Sequence, residues 1–119
     1  MTRRFQNFIN GRSIPPNSSD WIDSVNPATG EVWAQIARGN VVDVRLAVES
    51  AKRASEQHDW RYNPTNRSKI LHDIADRLDR EHQKLIEIEI NDNGKRVREV
   101  KAQMSGLGDW YRHFAVATA

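Results

Sequence analysis

Apolar positions change their spacing near Asn40, and that change divides the chain into a strand-forming opening and a helical remainder. In the opening, Phe8 and Ile9 lead into Asn10-Gly11. That pair suits the two central positions of a type I′ turn, both of which need positive φ, so a tight hairpin turn is predicted there. Residues 13–20 follow with two prolines, three serines and an asparagine, which fit neither a ladder nor a helix and read as a loop. Residues 21–25 and 32–37 alternate as strands around Asn26-Pro27-Ala28-Thr29-Gly30-Glu31, where Pro27 fixes φ and Gly30 supplies permissive backbone. A second hairpin is therefore predicted. Along its later strand Val32, Ala34 and Ile36 share the face expected in the core, while Trp33, Gln35 and Ala37 fall on the other.

Beyond Asn40 the period lengthens to that of a helix. Val41, Val44, Val48, Ala51 and Ala54 line one stripe over residues 41–57, with Asn40 or Asp43 as N-cap and Glu49 to Arg53 as an i, i+4 pair. Residues 60–64 read as a break, because the residue before Pro64 avoids the helical region. Thr65 or Asn66 then caps a second helix whose buried stripe is Ile70, Ile74, Leu78, Leu85 and Ile88, with Asp73 to Arg77 and Asp76 to Arg80 pairing on the solvated face. The step from Leu78 to Leu85 predicts a kink or a new helix near Asp79. Gly94, after Asn91-Asp92-Asn93, suits the left-handed position that ends a helix. A third helical segment carries Val97, Val100, Met104, Leu107, Tyr111 and Phe114 as a sustained apolar seam. No Gly or Asn follows that seam, so the chain is expected to end inside a helix, as a truncated one would.

Composition narrows the class. A chain of 119 residues, 38% hydrophobic and 29% charged, fits one soluble globular domain at most. The net charge is +2 with the signs interleaved, which gives no electrostatic footprint for nucleic acid. Arg3-Arg4 precedes no apolar run of signal-peptide length, and no stretch is long and apolar enough to span a membrane, so a cytoplasmic protein is expected. There is no cysteine, which removes disulfides, thiolate nucleophiles and cysteine-ligated zinc.

The residues carry no catalytic constellation. His58, His72, His82 and His113 lack metal-site spacing and read as structural histidines. Glu87 and Glu89, two apart on a helix, face different ways. Gly106-Leu107-Gly108 looks like the start of a dinucleotide fingerprint, but no strand precedes it, and the glycines read as close-packing or bending positions. Trp110, Tyr111 and Phe114 read as core rather than as a stacking platform for bases.

Four ordered stretches resemble the opening of the aldehyde dehydrogenase superfamily: Phe8-Ile9-Asn10-Gly11, Val25-Asn26-Pro27-Ala28-Thr29-Gly30-Glu31-Val32, Ile74-Ala75-Asp76-Arg77-Leu78 and Asp92-Asn93-Gly94-Lys95. The closing Trp110-Tyr111-Arg112-His113-Phe114-Ala115 resembles the aromatic end of the family's next helix. The resemblance implies an α/β fold whose amino-terminal part is two β-hairpins followed by three or four α-helices, with the central dinucleotide-binding sheet missing. On it, residues 1–119 are an incomplete amino-terminal portion of the cofactor-binding domain. It also implies oxidation of an aldehyde to a carboxylic acid with NAD or NADP. In that family a cysteine thiolate attacks, a hydride leaves to the nicotinamide, a glutamate activates water, and an asparagine side chain helps hold the oxyanion.

All of those groups, and the hairpin the family uses to oligomerise, lie beyond the matched stretches. No catalytic, cofactor-binding or metal residue is therefore assigned, and the matched residues have structural roles. A monovalent cation site found in some members would align with Ser24 or Val25 and with Gln103, but Gln103 puts a neutral amide where a carboxylate is expected. The expectation is an inactive 119-residue chain within a homo-oligomeric enzyme family that needs no nucleic acid or membrane. Two other readings compete with it: a non-catalytic helical interaction module using its apolar faces, and a nucleic-acid binder suggested by an isoelectric point near 9.2.

Overall fold

The computed structural model describes residues 2–118, with His58 described through its backbone alone. Contacts within the chain gather into two compact units, one up to Glu56 and one from Gln57 onward.

The first unit contains β1 (Arg3–Phe5), β2 (Asn7–Ile9), β3 (Arg12–Ile14), β4 (Trp21–Val25), β5 (Val32–Ala37) and α1 (Val41–Ser55). β2 and β3 form the first expected hairpin, with Ile9 opposite Arg12. Asn10 at φ 53° and Gly11 at φ 73° supply the two positive angles that a type I′ turn requires. The expected loop begins later than residue 13, because Ser13 and Ile14 still pair with Phe8 and Asn7.

β4 and β5 form the second hairpin, antiparallel with an irregularity at Ser24/Val25. Its loop closes on Asn26, whose N–H donates to the Glu31 carbonyl at 2.9 Å and whose own carbonyl accepts from Gly30 at 2.8 Å. The Asn26 side chain accepts a further bond from the Ala28 N–H at 2.9 Å. β1 is an addition to the two expected hairpins. It runs parallel to β5, with Arg3, Arg4 and Phe5 opposite Ala34, Gln35 and Ile36, and completes a sheet ordered β1-β5-β4. A parallel partner so distant in sequence leaves no local pattern to read.

The core face of β5 differs from expectation. Ala34 is fully buried, but Val32 and Ile36 are 44% and 43% exposed. The described residues of this unit place no layer over those two side chains. Trp33, on the opposite face, is half-buried: its ring meets Phe5 edge-on at 5.9 Å, and its Nε1 donates to Ser24 Oγ at 2.8 Å.

α1 begins where the period changes. Asn40 is the N-cap, and its side-chain oxygen accepts from the N–H groups of Val42 at 2.9 Å and Asp43 at 3.3 Å. Asp43 returns the bond from the third helical position, so both expected caps act together as a capping box. The helix stops at Ser55, two residues before the expected end.

The second unit is helical: α2 (His58–Tyr62), α3 (Pro64–Asn93), α4 (Val97–Ser105) and α5 (Leu107–Ala117). The expected break at residues 60–64 holds a single short turn, α2, whose last carbonyls at Trp60 and Arg61 accept from Arg67 at 2.8 and 3.2 Å. Asn63, not Thr65 or Asn66, caps α3, accepting from the Asn66 N–H at 3.0 Å. Pro64 takes the first helical position, where its fixed φ fits and its missing N–H costs no intrahelical bond.

α3 continues for 30 residues as one helix, so of the two expectations at Asp79 a separate helix does not occur. Seven residues from Leu78 to Leu85 are close to two turns of 3.6, so the stripe drifts without a break. Its buried centre lies at Ala75 and Ile86 rather than on Ile74, which is 37% exposed. Gly94 ends it at φ 69° in the left-handed region, as expected.

The third segment is two helices, divided at Gly106. Val100 and Ala115 are fully buried. Trp110 and Phe114, expected in the core, are instead 65% and 54% exposed, because the seam that packs on α3 runs through Gly108 and Ala115. α5 ends at Ala117, and the Thr118 N–H donates to the Phe114 carbonyl at 3.1 Å.

Candidate functional site

Three places among the described residues hold a charged side chain in several polar contacts that join separate segments. The first joins α3 to α5. Arg112 donates to Asp79 at 2.5 Å, to Asp76 at 2.8 Å and to Asp109 at 3.3 Å. Asp79 first, then Asp76, raises the guanidinium further above its already high range. Asp76 thus serves the other helix rather than Arg80, and Arg77 pairs with Glu81 at 3.3 Å rather than with Asp73.

Gly108 lets the two helices come this close: a Cβ there would stand 2.5 Å from Asp79 Oδ1 and 2.9 Å from Arg112 Nη1. A glycine at that point in a helix was the sequence signal for close approach. It did not tell which charges would meet.

The second cluster closes the α3–α4 connection. Glu89 accepts from Lys95 Nζ at 2.7 Å and from Asn93 Nδ2 at 2.7 Å. The Lys95 bond first, then that from Asn93, holds its carboxyl below the usual range for glutamate. Lys95 also reaches Gln103 Oε1 at 3.5 Å. Glu87, the other member of the sequence pair, is exposed.

The third place is Asp43, only 5% exposed. Its carboxylate accepts from the Asn17 N–H at 3.1 and 3.2 Å and from the Asn40 N–H at 2.9 Å. Three roles of this acid follow: it pins the loop after β3, completes the cap of α1 and places a negative charge at the helix start. It is a fold-holding acid whose bonds all go to backbone N–H groups.

The residues weighed for chemistry are dispersed. His72, His82 and His113 are exposed; His82 Nδ1 lies 2.8 Å from the Asp79 carbonyl and His113 stacks edge-on with Phe114 at 5.4 Å. The side chain of His58 lies outside the described residues. Among the described residues no group of three His, Cys, Asp or Glu side chains could hold a metal ion. Ser24 and Val25 belong to the first unit and Gln103 to the second. Ser24 Oγ is engaged by Trp33, and the Gln103 oxygen is approached by Lys95.

A dinucleotide does not fit Gly106-Leu107-Gly108. Gly106 joins two helices with no strand before it, Gly108 is buried against a carboxylate, and three aspartates surround Arg112. A phosphate placed there would meet negative charge instead of free N–H groups. An open groove of about 390 Å³ beside the β2–β3 turn and α1 is lined by Phe8, Ile9, Ala47, Ser50, Ala51 and Ala54, none of them a titrating group. No helix of the described chain is long and apolar enough to cross a membrane.

Comparison with known proteins supplies what local chemistry does not. Residues 14–119 match the model of the aldehyde dehydrogenase family. An aldehyde dehydrogenase of Deinococcus radiodurans is 41% identical over 115 residues, which cover 95% of this chain and 22% of that protein. A long-chain-aldehyde dehydrogenase of an Acinetobacter species is 35% identical over 94% of this chain and 22% of its own length.

Among solved structures, the NAD-dependent aldehyde dehydrogenase of Sinorhizobium meliloti superposes with a TM-score of 0.89 at 27% identity, over 97% of this chain and 23% of that one. Betaine aldehyde dehydrogenase of Staphylococcus aureus in complex with NAD+ gives 0.88 at 26% identity, over 94% and 22%. The chain therefore spans under a quarter of the length of the relatives it matches, in the amino-terminal portion of their fold. Sequence, fold and the order of its two hairpins and helices agree that the chain belongs to the aldehyde dehydrogenase family.

Proposed function

We propose that these 119 residues are an incomplete amino-terminal portion of the cofactor-binding domain of an aldehyde dehydrogenase, and that alone they oxidise nothing. The observation that carries this reading is the absence of cysteine from a chain whose family attacks its substrate with a cysteine thiolate. No residue described above is a catalytic, cofactor-binding or metal-binding group. The complete enzyme would oxidise an aldehyde to a carboxylic acid, and the NAD named for two structural relatives supports a nicotinamide cofactor, NAD or NADP. A cytoplasmic homo-oligomer without nucleic-acid or membrane partners goes with this reading.

The role left to this portion is architectural. Its capped helices and paired strands would dress a sheet that other residues supply. The test is a chimera in which this chain replaces the matching segment of the Deinococcus radiodurans relative. We expect aldehyde-dependent reduction of NAD or NADP to survive, because every reacting group comes from the relative. A chimera that folds and assembles like its parent but has lost turnover would contradict the reading.

One observation favours a second reading, a non-catalytic helical interaction module: Trp110, Phe114 and Val116 of α5 are 65%, 54% and 71% exposed. Apolar surface of that kind promotes association. That reading requires the purified chain to form a defined complex of its own, which the architectural one does not.

A further inference from the structure

Two Asn-Gly pairs occur in the chain, Asn10-Gly11 and Asn93-Gly94, and the structure places them in opposite situations. At such a pair the glycine nitrogen can attack the asparagine side-chain amide, since glycine has no side chain to shield its own backbone. The reaction needs a free amide carbon and a free nitrogen.

At Asn93 both are held. Its Nδ2 donates to Glu89 Oε1 at 2.7 Å, its Oδ1 accepts from the Lys95 N–H at 3.0 Å, and the Gly94 N–H donates to the Ile90 carbonyl at 3.0 Å. At Asn10 neither is held. The residue is exposed, its side chain and the Gly11 N–H have no hydrogen-bond partner among the described residues, and the space around the Gly11 α-carbon is open.

Asn10 turns in the left-handed region, and it must leave that geometry for the nitrogen to reach the amide carbon. The turn joins two strands of only three residues each. A two-stranded ladder this short opens readily.

We infer that Asn10 is a site of spontaneous deamidation and that Asn93 is protected from it. The Gly11 nitrogen forms a bond to Asn10 Cγ, the Cγ–Nδ2 bond breaks, and ammonia leaves with the proton that the glycine nitrogen gives up. Water then opens the resulting succinimide at either carbonyl, yielding aspartate or isoaspartate. Isoaspartate routes the main chain through the side-chain carbon and adds a methylene to a two-residue turn. It also sets a negative charge beside the groove between the β2–β3 turn and α1. The register that puts Ile9 opposite Arg12 would not survive that lengthening.

The experiment is to age the full folded chain at mildly alkaline pH and map it by trypsin and mass spectrometry. Tryptic peptide 5–12 carries Asn10, and peptide 85–95 carries Asn93. We expect the first to gain one mass unit, as aspartate and isoaspartate forms, about tenfold faster or more, because its reactive groups are themselves unbonded and only a short ladder has to open. Glu89→Ala should speed conversion at Asn93 and leave Asn10 unchanged. Equal rates in the folded chain, or faster change at Asn93, would overturn the assignment, as would a Glu89→Ala variant in which Asn93 stays as slow as before.

Discussion

Asp43 does at residue scale what most of the first unit depends on. It is a buried carboxylate with its acceptors filled by two backbone N–H groups, those of Asn17 and Asn40, and it closes the cap of α1. Removing it takes the acceptor from both donors and opens the capping box. Asp43→Ala should destabilise the chain by about 0.5 to 2 kcal/mol, the cost of losing a helix cap. Asp43→Asn, which keeps one acceptor oxygen, should lose less. Urea denaturation measures both, and an Asp43→Ala loss below about 0.5 kcal/mol, the range of ordinary surface changes, would mean that the acid holds nothing.

Among the elements, α5 on α3 shows how a contact depends on a missing side chain. Gly108 brings Arg112 within reach of two aspartates on α3, and a methyl group there would displace the Asp79 carboxylate. Alanine improves helix propensity by about 1 kcal/mol, which offsets the cost of moving the Asp79 carboxylate and the Arg112 guanidinium aside. The atoms such a methyl would meet are the ends of flexible, partly exposed side chains, so Gly108→Ala should change stability by less than about 1 kcal/mol in the same experiment while weakening the Arg112–Asp79 pair, and a loss of several kcal/mol would contradict this.

Elements with local signals were legible in the sequence. Asn10-Gly11 fixed a turn because its two positive φ angles are a local demand, and Gly94 marked the end of α3 for the same reason. Non-local features were not. β1 needs β5 as its parallel partner, and Asp76 found Arg112 on another helix rather than Arg80 on its own. Periodicity grouped Trp110 and Phe114 with the core seam, but a stripe states only which side chains are apolar, not whether a layer lies over them.

Across the whole molecule, family membership and the architectural role proposed above belong to one picture. The fold follows aldehyde dehydrogenases closely over almost all of this chain but over less than a quarter of theirs. Its charged clusters pin helices and turns, its apolar faces on β5 and α5 stand exposed, and it has no thiol. On the proposal above, a portion of this kind would give shape to a catalyst without holding its chemistry.

The most direct test is the aldehyde-dependent formation of NADH or NADPH by the purified 119-residue chain, followed by absorbance over a panel of short and long aldehydes. The account predicts no rate above that of buffer. A rate that stays with the chain through successive purification steps would contradict it, because a nucleophile other than cysteine would then have to lie among these residues.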